Sequence, residues 1–146
     1  MTVSSSSQWA QQRREAAAEH ERRLHERQRA EARKAQSMLD RFLQAANHQQ
    51  LAAEPLVVQG YGGRGKARTP LRGWYLRVDR TCAVGTDGSF YVLTAPLSAW
   101  DRLRGVRPEP KDPPLLIGAG GKDGNAIYLS EALERLLPGW QDHPRS

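Results

Sequence analysis

A chain of 146 residues with a net charge of +6 has the size of one compact domain plus an extension. Its single cysteine, Cys82, excludes an internal disulfide and a multi-cysteine metal site, and no stretch approaches the roughly 18 apolar residues of a membrane span. The N-terminus carries no apolar core like that of a secretion signal, so the cytoplasm is the expected setting and no membrane partner is expected.

Residues 1–7, MTVSSSS, read as a disordered lead, with Ser7 as the cap of a helix starting near Gln8. From Gln8 to about Ala46 there is no Gly or Pro, and good helix formers dominate. Asn47 and Pro55 are candidate stops, which gives a helical arm over residues 8–53. Unbroken, about 40 helical residues reach about 60 Å. The arm has two halves. Between Gln11 and Lys34 the only large apolar side chain is Leu24. Opposite charges four apart (Glu19 with Arg23, Arg22 with Glu26, Arg27 with Glu31) suit a solvated helix. From Ala35 onward Met38, Leu39, Phe42, Leu43 and Ala46 follow at spacings of three and four, so one face is apolar. That face must pack on the following domain or against a second copy in a short coiled coil. Continuous heptads fail at Arg27, Gln28 and Glu31. Trp9, a large aromatic near a polar tip, suits anchoring on a partner. The candidate partner-binding residues of the arm are therefore Trp9, Met38, Leu39, Phe42, Leu43 and Ala46.

Composition changes at Pro55, and residues 55–140 read as a small α+β domain, with 141–146 as a tail. Residues 56–59 (LVVQ) form a short strand candidate. In GWYLRVD, Trp74, Leu76 and Val78 alternate with Tyr75 and Arg77, as in a half-buried strand. CAV (82–84) and SFYVLT (89–94) flank Asp87-Gly88, a strong hairpin signal, so an antiparallel meander is expected. A short helix follows Ser98 and stops at Gly105. VRPEPKDPP is an extended crossing, because its prolines do not suit a central strand. LLIG (115–118) is a further strand, and Ser130 caps a last helix running through Leu137 to a stop at Gly139. The expected core is Trp74, Leu76, Val78, Phe90, Val92, Leu103, Leu116, Ile127, Leu129, Leu133 and Leu136.

Gly60 to Lys66 matches G-x-x-x-x-G-K, the pattern of a phosphate-binding loop. The position after Lys66 is Ala67, so the metal-binding hydroxyl is missing, and the strand pattern from Trp74 leaves no room for the helix that must follow. No nucleotide and no cofactor is expected. The second glycine-rich stretch, 118–124, lacks dinucleotide spacing and reads as a tight turn. Residues 55–142 contain no His, which removes a hydrolytic triad. Cys82, in a strand-like run, reads as a buried and inert thiol.

A weaker anion site survives. Six basic residues against one acidic residue give +5 over residues 59–80, and a second basic run follows at Arg102, Arg104, Arg107 and Lys111. Arg presents a fixed fork of donors suited to phosphates and carboxylates. Arg64, Lys66, Arg68, Arg72, Arg77, Arg104 and Arg107 are thus candidate contacts for nucleic acid or an acidic protein surface, with Tyr61, Trp74 and Tyr75 able to stack on bases. The run GWYLRVDRTCAVGTDGSFYVLT, with RLRGVRPEPKDPPLLIGAGGKDG after it, resembles small uncharacterised proteins of high-GC bacteria over residues 55–140. That resemblance implies no activity. The expectation is a non-catalytic interaction protein that associates with itself or another protein through its arm. Nucleic-acid association through the Arg-rich loops is the first alternative, and an enzyme of unrecognised type the second.

Overall fold

The computed structural model describes residues 5–118 and 125–142. It opens on one unbroken helix, α1 (Ser5–His48). Ser5, Ser6 and Ser7 are already helical, so Ser7 lies inside the helix and does not cap it, while 1–4 of the expected lead fall outside the described residues. The other end closes with a left-handed residue. Gln50 has φ 55°, Leu51 N–H donates to the Ala46 carbonyl at 2.9 Å, and Gln50 N–H donates to the Asn47 carbonyl at 3.2 Å. These two bonds satisfy carbonyls that the helix end leaves open, at a position where glycine is usual.

The two halves of α1 differ as their sequences do. From Ser5 to Ala30 every residue is exposed apart from partial shielding of Ala10 and Glu19. Of the three expected charge pairs, Glu19 with Arg23 forms at 3.4 Å. Arg22 turns back to Glu19 at 2.6 Å instead of reaching Glu26, and Glu31 accepts from the Leu115 N–H at 3.2 Å instead of holding Arg27. In the base of the helix Ala35, Leu39, Phe42, Ala45 and Ala46 are buried. They pack on the domain that follows.

That domain is built on β1 (Glu54–Gly60), β2 (Lys66–Tyr75), β3 (Cys82–Gly85), β4 (Phe90–Val92) and β5 (Thr94–Ala95). The sheet order is β4-β3-β2-β1-β5, antiparallel except for the parallel pair β1 and β5. Only Leu93 separates β4 from β5, yet the two hold opposite edges. Residues 90–95 therefore join both edges, and the sheet closes on itself as a small barrel. Leu93 binds both ways: its N–H donates to the Thr81 carbonyl and its carbonyl accepts from Gln59 N–H, each at 2.8 Å.

Closure gives the sheet two buried faces. Inside lie Leu56, Val58, Tyr75, Ala83, Tyr91 and Leu93. Outside, Trp74, Leu76, Cys82, Val84 and Phe90 pack against the α1 base, with Phe42 edge-on to Trp74 at 5.6 Å between ring centres. Tyr75, expected to face solvent, is thus an interior residue whose hydroxyl accepts from Val57 N–H at 2.9 Å. Three expected core residues are exposed instead: Val78, Val92 and Leu103. β2 stops at Tyr75 and the chain turns through Arg77–Arg80, which carries Val78 out of the sheet. Val92 sits on the outer barrel face away from the helices, and Leu103 belongs to a six-residue helix with no buried side chain.

The rest of the chain wraps this body. Helix α2 (Ala99–Arg104) forms as expected: Ser98 Oγ accepts from Asp101 N–H, the Asp101 carboxylate accepts from Ser98 N–H, and Gly105 ends it at φ 89°. The proline-rich crossing makes one bridge, Lys111 with Phe90. β6 (Leu116–Ile117) pairs with β7 (Ile127–Tyr128), and α3 (Leu129–Leu136) follows directly. Ser130 lies within α3, where Tyr128 holds the cap position without a side-chain bond. The stretch read as a tight turn at 118–124 lies outside the described residues beyond Gly118. Trp140–Asp142 forms a single 3-10 turn against α1, so Gln141 and Asp142 belong to the body and not to a tail.

Candidate functional site

The hairpin between β1 and β2 settles the glycine-rich loop. Gly60 N–H donates to the Gly65 carbonyl at 2.9 Å and Arg64 N–H to the Tyr61 carbonyl at 3.2 Å, which closes the turn on itself. A Cβ at Gly60 would stand 2.0 Å from the Arg64 carbonyl oxygen, so the close approach requires glycine. Lys66 opens strand β2 rather than a helix. The turn's N–H groups at Gly60 and Arg64 face its own carbonyls, which is hairpin geometry and not a phosphate cradle.

What the hairpin does present is charge. On β2, Lys66, Arg68, Pro70 and Arg72 alternate outward while Ala67 is buried. The segment after α2 runs beside the part of β2 that no strand covers. Val106 N–H donates to the Arg68 carbonyl at 2.8 Å, and Arg68 Nη2 donates to the Leu103 carbonyl at 3.1 Å. The Arg102 side chain lies over Gly65. The two basic runs therefore share one region. Between them is a groove of about 460 Å³ bordered by Arg68, Thr69, Arg104 and Arg107. Over residues 60–70 and 98–107, six basic residues (64, 66, 68, 102, 104, 107) face a single acidic one, Asp101, a net of +5. Asp101 is engaged in capping α2.

Among the described residues, Arg64, Lys66, Arg102 and Arg107 have no carboxylate within ion-pair distance. Arg104 lies over the ring of Trp100 at 5.6 Å. Trp100 is 65% exposed and Tyr61 60% exposed, so two aromatic faces flank the charge. Trp100 and Arg102 join this surface from outside the expected contact set. Trp74 and Tyr75, expected to stack on bases, are buried and belong to the core.

Two of the expected basic contacts lie elsewhere. Arg77 is a structural residue: its guanidinium pairs with Asp79 at 3.2 Å and donates to the Asn125 carbonyl at 2.6 Å, with the side chain only 13% exposed. Arg72 donates to the Ala53 carbonyl at 2.9 Å and secures the link between α1 and β1. The arm residues divide similarly. Leu39, Phe42 and Ala46 are buried within this chain, and Met38 and Leu43 pack partly against the same cluster. Leu39, Phe42 and Ala46 are filled from inside the molecule and do not form a free partner face, because the barrel's outer face supplies the apolar surface they need, while Met38 and Leu43 stay partly exposed. Trp9 is the most accessible of the six, 57% exposed with the Arg13 guanidinium 4.6 Å from its ring centre.

The remaining chemistry is structural. Burial pushes the Cys82 thiol up to about 12, so it is protonated and unreactive at neutral pH. Among the described residues no three of His, Cys, Asp and Glu gather as metal ligands would, and no helix is long and apolar enough to cross a membrane. Comparison with protein-family models, with curated proteins and with solved structures finds no match.

Proposed function

We propose that the protein is a non-catalytic, cytoplasmic nucleic-acid-binding protein that takes a single strand along the basic groove beside β2. The observation that carries this reading is convergence. Arg102 rests on Gly65 and Arg68 holds the Leu103 carbonyl, so residues about 35 positions apart in sequence meet as one cationic surface. A positive groove with accessible aromatic faces suits a phosphate backbone and unpaired bases. Trp100 and Tyr61 would stack on bases, and Arg64, Lys66, Arg104 and Arg107 would meet phosphates.

Fluorescence anisotropy with a short single-stranded oligonucleotide tests it. Roughly four phosphate contacts give a slope of log K against log salt of about −2.8. Lys66→Glu combined with Arg104→Glu, both at exposed positions, is expected to weaken binding by more than tenfold. Trp100→Ala is expected to cost about 1–3 kcal/mol of binding, the usual worth of one stacked base. Affinity that ignores both salt and the charge reversals would remove this reading.

The exposed outer half of α1 supports a second reading, association with another protein or a second copy. Trp9 and Leu24 are its large exposed apolar groups. Light scattering is expected to give a mass above one chain that falls to one chain in Trp9→Ser/Leu24→Ser. A single-chain mass at all concentrations would exclude self-association.

A further inference from the structure

We propose that the cleft between the α1 base and the Trp140–Asp142 turn is a binding site for a small carboxylate, separate from the basic groove and independent of what that groove binds. The cleft has a volume of about 590 Å³. Its helix wall is one stripe, Lys34, Met38 and Arg41, and Trp140 and Gln141 form the facing wall. Trp140 is only 2% exposed, yet its indole N–H meets no acceptor. The Nε–H of Arg41 is likewise buried without an acceptor. Native proteins leave few such groups unsatisfied, and two on residues that line one cleft call for an explanation.

The identity of the orphaned groups sets the class of ligand. Both are donors, so the ligand must accept. Arg41 is held in place because its Nη2 donates to the Gln141 carbonyl. Among the described residues its guanidinium has no carboxylate partner. Asp40 borders the cleft but accepts from Gln36 Nε2 at 2.9 Å. Lys34 and Arg41 against Asp40 leave the cleft at a net of +1. A carboxylate brings one negative charge and two acceptor oxygens, one for the Arg41 Nε–H and one for the Trp140 indole N–H. Met38, partly exposed on the helix wall, offers apolar contact to the rest of such a ligand, so an aryl or alkyl acid fits better than an inorganic anion.

Titration of the full-length, ¹⁵N-labelled protein with phenylacetate at constant ionic strength tests this. Phenylacetamide, its neutral counterpart, serves as the control. The Trp140 indole and Arg41 Nε–H resonances are expected to shift saturably with phenylacetate and not with phenylacetamide, while the Trp100 indole stays still. Arg41→Gln is expected to weaken binding at least tenfold. Lys34→Gln, at an exposed position that leaves the packing intact, is expected to weaken it severalfold. Linear shifts without saturation, equal response to the amide, or affinity unchanged in both variants would overturn the proposal and leave the cleft as a hydrated recess.

Discussion

Gln50 shows how one residue can hold a helix end against its own preference. Its left-handed backbone costs an L-residue roughly 1–2 kcal/mol, which glycine avoids while losing some chain entropy on folding. Gln50→Gly is therefore expected to stabilise the fold by about 0.5 kcal/mol, read as a higher urea midpoint at unchanged m-value. Asp79 and Asp87 act at two turns. For each, burial works against the charged form, but hydrogen bonds outweigh it and the carboxyl is held below its ordinary value: from Thr81 and Arg77 at Asp79, from Tyr91 and Ser89 at Asp87. A depressed folded value means the stabilisation is present above about pH 3.9, the unfolded value, and is lost as pH falls through the folded one. Thermal melts from pH 6 to pH 2 are expected to show that loss. Tyr91→Phe, which deletes the 2.7 Å bond to Asp87, is expected to make the acid slope shallower.

At the scale of elements, local signals were legible where a few adjacent residues decide the outcome. Ser98, Asp101 and Gly105 mark the start and stop of α2, and the absence of Gly and Pro between Gln8 and Ala46 marks the long helix. The end of β2 was not legible. Trp74-Tyr75-Leu76 alternates straight on to Val78, and the turn that breaks it uses Arg80 at φ 62° where a glycine would have announced it. Barrel closure left no trace either, because Leu93 bonds to Thr81 and Gln59 through its backbone, which composition does not record. The basic groove was half legible. Charge alone marks Arg64, Lys66, Arg68, Arg104 and Arg107. Charge alone marks Arg77 as well, whose partner Asp79 is two residues away and whose role only the fold reveals.

For the molecule as a whole, the exposed part of α1 raises a question of cohesion. The 26 residues from Ser5 to Ala30 span about 39 Å. They bury nothing in the body, and a separate helix of this length is only modestly stable in water. Their order is borrowed. The docked turns from Ala35 to Ala46 act as a permanent seed, so the outer turns grow from an existing end and skip the unfavourable first turn. With a nucleation constant of about 10⁻³, that step is worth about 4 kcal/mol. Replacing Arg29 and Ala30 with two glycines is expected to cut this inheritance. Far-UV circular dichroism should then lose much of the signal of about 25 helical residues, while the urea midpoint of the barrel and its packed helices stays where it was. The protein thus carries a rod whose stiffness is set at its root, and shortening the rod from its tip should leave the remainder as straight as before.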